Sequence, residues 1–128
     1  MALTTEQKKV LEETSATFTA TLLSDKTDPT STVAASSLSS LKLTLYDVCT
    51  GDIINSREGQ NVLNTNNVTV DEDGLLTWNI QGDDNQIVST TLAAGEYETH
   101  IALFEWVWSS GQGKEQIELM VEQLDKVS

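Results

Sequence analysis

Apolar and polar positions alternate with a period of two along most of this chain, the pattern of strands that show one face to a core and one to water. Phe18, Ala20 and Leu22 alternate with Thr17, Thr19, Thr21 and Leu23. In LKLTLY, Leu41, Leu43 and Leu45 alternate with Lys42, Thr44 and Tyr46, and a short strand is predicted around Ile53 to Asn55. NVTVDEDGLLTWNI reads as strand, turn, strand, with Val68 and Val70 before the turn Asp71 to Gly74, and Leu76, Trp78 and Ile80 after it. A long strand begins near Glu96, and SSGQGK turns it into a last strand with Ile117, Leu119 and Val121 on one face. Between these lie polar stretches. Residues 24–40 hold the only proline among Ser, Thr and Asp and are predicted as a long loop. REGQNVLNTNN is loop-like, anchored by Val62 and Leu63, while Gln86 to Ala94 shows no clear period. About seven strands with turns between them predict an all-β fold, an antiparallel β-sandwich over residues 15–128.

Residues 1–14 break the period. Thr4 with Gln7 fits a capping box, and Val10 and Leu11 form a small apolar side, so a short N-terminal helix or arm is predicted there. A helix of that length is marginal unless it packs on something.

Twenty acidic against seven basic residues give a formal charge of -13 and a pI near 4.1. Phosphate contacts need clustered Lys and Arg, so nucleic acid is an unsuitable partner; the adjacent Lys8 and Lys9 are flanked by Glu6, Glu12 and Glu13. No apolar run approaches the roughly 20 residues that cross a bilayer, and no membrane partner is expected. After Met1 the chain is polar within four residues, so no signal peptide is expected and the protein is expected to be made in the cytoplasm. The one cysteine, Cys49, rules out an internal disulfide; apolar packing must carry the fold.

Candidate chemistry is sparse. His100 is the only histidine, no Ser lies in a G-x-S-x-G turn, and nothing marks Cys49 as activated. Asp71, Asp73 and Gly74 resemble the start of a calcium loop, with Asp83 and Asp84 nearby, but the closing ligands are missing and a strand follows, which favours a turn. Paired carboxylates fit any acidic chain. There is no P-loop, G-x-G-x-x-G or Cys-x-x-Cys. No enzyme, cofactor or metal is therefore expected.

IALFEWVW, residues 101–108, is apolar on both faces: Ile101, Leu103 and Val107 on one, Ala102, Phe104, Trp106 and Trp108 on the other. The run AAGEYETHI resembles a tyrosine corner, in which a Tyr at the start of the penultimate strand of an immunoglobulin-like domain points inward, although the usual Cys two residues on is Thr99 here. That register predicts a core of Phe18, Leu43, Leu45, Trp78, Ile80, Tyr97, Ile101, Leu103 and Leu119. It leaves Phe104, Trp106 and Trp108, with His100 and the arm residues Val10 and Leu11, as a contact surface for protein partners. The opposite register, with the aromatic face as the core, stays open.

The residues LYDVCTGDIINSREGQNVLNTNNVTVDEDGLLTWNIQ, then HIALFEWVW and a last strand ending in LDKV, resemble small tailed-bacteriophage proteins encoded among head and connector genes. More loosely they resemble the immunoglobulin-like domain of phage baseplate proteins. The resemblance spans roughly residues 41–127. It implies a virion structural protein with an immunoglobulin-like sandwich: a capsid cement or decoration protein bound to the major capsid protein and to sister copies, or else a neck, tail or baseplate domain. A module that binds carbohydrate or a host surface through exposed aromatics is the reading from another class.

Overall fold

The computed structural model describes residues 5–25, 27–89, 92 and 95–123; Thr4 of the predicted cap and the tail after Gln123 lie outside them. Eight strands are described: β1 (Thr5–Leu11), β2 (Ala16–Thr21), β3 (Leu38–Asp47), β4 (Gln60–Asn61), β5 (Val68–Val70), β6 (Leu75–Ile80), β7 (Tyr97–Trp108) and β8 (Gly111–Glu122). They form two sheets, β1-β8-β7-β3-β4 and β2-β6-β5. The orders β8-β7-β3 and β2-β6-β5 are the GFC and BED orders of an immunoglobulin-like sandwich, with β4 beside β3 where variable-type domains add a strand.

The predicted N-terminal helix is a strand. Val10 and Leu11 are adjacent in sequence, and a strand sends them to opposite faces: Val10 is buried opposite Val121, while Leu11 is 44% exposed. Seven residues cannot repay helix nucleation, whereas the free edge of β8 offers a parallel partner from Thr5↔Gln116 to Leu11↔Glu122. Val10 is thus a core residue, not a docking contact. Lys8 and Lys9 suit an outermost strand, where charge discourages further pairing.

Two other predicted boundaries shift. Within the predicted loop 24–40, β3 already begins at Leu38, after a 3-10 turn at Ala35–Ser37, and Val33 and Leu38 are buried. Earlier in that loop Asp25 accepts from Thr27 Oγ1 at 2.7 Å and Thr27 N at 2.9 Å, and Asp28 accepts likewise from Thr30 at 2.6 and 2.9 Å. These hydroxyl and amide donors hold both carboxyls below the usual carboxylate range. The strand expected at Ile53 to Asn55 is a turn with a single bridge, Tyr46↔Ile53, because Asn55 and Ser56 take positive φ; the short β4 forms later, inside the segment predicted as loop.

The calcium-like DEDG is the β5–β6 turn. Asp71 Oδ1 accepts from the amides of Asp73 and Leu75, both at 2.9 Å, and Gly74 turns at φ 80°. A Cβ at Gly74 would lie 2.9 Å from Val33 O. Gly74→Ala is expected to lower stability by about 1–3 kcal/mol, combining left-handed strain and overpacking; a chemical unfolding midpoint equal to wild type would contradict this turn.

Phe18 of β2 stacks on Phe104 of β7 at 6.4 Å between centroids, and Trp78 of β6 meets Phe104 edge-on at 5.6 Å. Antibody domains join these same two strands, B and F, by a disulfide. Here aromatic packing spans the sheets, and the lone Cys49 is exposed in the turn after β3. Phe18, Leu43, Leu45, Trp78, Ile80 and Leu119 all lie in the core.

Candidate functional site

The β7–β8 hairpin decides which side of IALFEWVW is inside. Its two-residue turn, Ser109 and Ser110, pairs Trp108 with Gly111 and Trp106 with Gly113. A Cβ on Gly113 would come within 2.6 Å of the Trp106 ring, and one on Gly111 within 2.7 Å of the Trp108 ring. Each indole therefore lies across a glycine of the partner strand, where no side chain competes for the space. The same register places Ile117, Leu119 and Val121 on the face of Ala102, His100 and Glu98.

The predicted contact surface is corrected accordingly. Phe104 and Trp106 are 1% exposed and belong to the core, Trp108 is half-buried against it, and His100 is fully buried. Tyr97, predicted inside, is 39% exposed on the outer face, so no tyrosine corner forms; Lys9 Nζ lies 5.7 Å from its ring centroid. Ile101 is buried and Leu103 half-buried, both on the outer face rather than between the sheets. Of the docking residues only Leu11 is exposed. Of the aromatics among these residues, Trp78 and Trp106 lie inside, while Tyr97 is exposed and Trp108 half-buried.

The inward register buries a polar centre that was not expected. Asp47 of β3 pairs with His100 of β7, and Glu98 lies two residues before His100 on the same face. His100 Nε2 is 2.5 Å from Glu98 Oε2 and 3.9 Å from Asp47 Oδ1. Glu98 also accepts from the amides of Val88 and Ser89, at 2.7 and 2.8 Å, which fastens the stretch after β6 over the centre. Asp47 Oδ2 accepts from Thr50 N and Oγ1, each at 2.9 Å. Asp47 Oδ1 and His100 Nδ1 are buried without a hydrogen-bond partner. A cleft lined by Glu12, Glu13, Gln86, Ile87, Ser89 and Gln123 lies beside it, sharing Ser89. Such a set can hold a proton or a cation.

A second buried network surrounds Arg57, the chain's only arginine. Its Nε donates to Asp84 Oδ1 at 2.6 Å and Nη2 to Asp84 Oδ2 at 3.3 Å. Nη1 donates to Gln60 Oε1 and Asn66 O, and Nη2 also to Asn67 Oδ1. All five guanidinium N–H directions are used. Asp84 in turn accepts from Asn55 Nδ2 and Gln81 N, capping the 3-10 turn Gly82–Asn85. One cue in the sequence pointed here: a single arginine, among asparagines, in a chain whose other cations are all lysine.

The strand order thus defines an immunoglobulin-like β-sandwich. No family model matches the sequence, and no curated protein matches it. Among solved structures it is similar to an I-band fragment I67–I69 from titin, at 7% identity and a TM-score of 0.41 over 92% of this chain and 30% of that one. It is also similar to a chimeric titin Z1Z2 carrying a decorin peptide (15%, 0.41, 92% and 87%) and to the M1 domain from titin (13%, 0.39, 91% and 87%). The chain spans less than a third of the length of the I-band fragment.

Proposed function

We propose that this chain is a non-enzymatic structural protein of a tailed-phage virion, acting as a capsid cement protein that docks on the major capsid protein through the outer face of its five-stranded sheet. Two kinds of support stand behind this reading: the sequence resemblance to phage head-region proteins, and the charge of that face.

The charge carries the geometric part. Outward-facing positions of the larger sheet hold Lys9, Lys42 and Lys114 against Glu105, Glu118 and Glu122. Three lysines balance three glutamates on one face of a molecule whose net charge is -13. Balanced charge on these positions adds little repulsion of its own between copies or toward an acidic neighbour. Among these charges stand Leu11, Tyr97 and Val107, each more than a third exposed, with half-buried Leu103 and Tyr46. A neutral face with scattered apolar anchors suits protein contact, with polar side chains at its rim.

Val107→Glu tests the docking face, since Val107 points away from the core. It is expected to leave the unfolding midpoint nearly unchanged and to reduce binding to undecorated heads by tenfold or more. Undiminished binding by the folded variant would remove this face from the proposal. Quantitation in purified particles separates the alternatives: lattice-level copy number in heads supports a cement protein, whereas a few copies with necks or tails supports a connector or baseplate domain.

A further inference from the structure

We propose that Asp47, Glu98 and His100 form a binding site for one divalent transition-metal cation, of which Zn²⁺ is the representative, at the end of the sandwich between β3 and β7. This goes beyond the docking function and does not depend on it.

The donor set favours such a cation over Ca²⁺ or Mg²⁺, because an imidazole nitrogen joins two carboxylate oxygens. Charge points the same way. Two carboxyl groups share the buried centre with one imidazole, and among the described residues no Lys or Arg side chain pairs with either; His100 is the one basic group beside them, and one imidazole can balance at most one carboxylate. Buried charge without a counter-charge is costly. A divalent cation cancels both carboxylates while the imidazole stays neutral and lends its lone pair.

Geometry adds an independent indication. Asp47 is 2% exposed, and its Oδ1 has no hydrogen-bond donor although it lies 3.9 Å from His100 Nε2. The three ligand atoms lie within 4.8 Å of one another. Tetrahedral ligands at about 2.0–2.2 Å from zinc are about 3.3–3.6 Å apart. Binding therefore requires Glu98 Oε2 and His100 Nε2 to part by about 1 Å, with the one proton of the neutral imidazole carried on Nδ1 so that the Nε2 lone pair is free for the metal, and Asp47 Oδ1 to move in slightly. Ser89, whose amide donates to Glu98, also lines a cleft that has Glu12 and Glu13 in its wall, so further carboxyl groups lie on that side of the chain.

The test uses the whole chain with Cys49→Ser, so that the exposed thiol cannot take zinc. After EDTA treatment and removal of the chelator, titration with ZnCl₂ is expected to give one zinc per chain and raise the melting midpoint by several degrees. His100→Gln is expected to weaken zinc binding by ~100-fold or more. If that variant does not fold, the wild-type histidine decides the matter, since it is the only one in the chain. Its Nε2 nitrogen resonance is expected to shift on stoichiometric zinc addition. An imidazole spectrum unmoved at tenfold excess zinc, with the chain still folded, would overturn the proposal, as would MnCl₂ and ZnCl₂ both leaving the midpoint unchanged.

Discussion

Arg57→Ala is expected to lower the free energy of unfolding by about 3–5 kcal/mol, the cost of leaving a buried partner charge uncompensated. Asp84 is fully buried, and its carboxylate receives two of the five guanidinium N–H groups. Truncation strands that carboxylate, and it also frees Gln60 Oε1 of β4 and Asn66 O and Asn67 Oδ1 of the loop between β4 and β5. The loop and the 3-10 turn are thus held to each other through one side chain. Arg57→Lys keeps the charge but lacks the planar fork, so it cannot reach these acceptors together; an intermediate loss is expected. Replacing Arg57 and Asp84 together by apolar residues should recover part of the deficit, because no charge is then left alone. Urea unfolding of the four proteins checks the order. A loss below about 1 kcal/mol for Arg57→Ala would mean that the pair behaves like a solvated surface bridge.

Most strands were legible because they alternate, and β2, β3, β6 and β8 sit where alternation put them. Their inward residues include Phe18, Leu43, Leu45, Trp78, Ile80 and Leu119. What alternation could not supply was a choice of face for β7. The hairpin turn at Ser109 and Ser110, combined with the apolar positions of β8, implies the observed register. Its consequence, however, is that Glu98 and His100 face the core, which violates the rule that charged groups stay in water. The tyrosine-corner resemblance avoided that violation and pointed the wrong way. The conflict in the sequence was itself the trace of the buried centre, in keeping with functional or strained sites being where local rules fail. Arg57 was hidden for a different reason: its acceptors are side chains and carbonyls on an irregular loop, and periodicity does not report on loops. For β1, two neighbouring apolar residues suit either a helix side or a strand, and only the open edge of β8 distinguishes them.

Trp106→Ser is expected to cost about 3–5 kcal/mol, since it empties a fully buried indole site. A domain of this size has roughly 5–15 kcal/mol in total, so the variant stands close to unfolding. Loss of partner binding by Trp106→Ser would therefore say little about an interface, whereas Val107→Glu, one residue on and facing outward, reports on docking alone. The cost has a counterpart across the strand. Gly113→Ala places a methyl within 2.6 Å of the same ring and is expected to cost about 1–3 kcal/mol by overpacking. If the ring is what the new methyl strikes, the two changes cannot add: with the smaller serine at 106, Gly113→Ala should become nearly neutral. A double-mutant cycle by chemical denaturation measures this coupling, expected at about 1–2 kcal/mol. Simple additivity would show that Trp106 does not lie over Gly113, and the inward assignment of Phe104, His100 and Glu98, which shares that register, would fail with it.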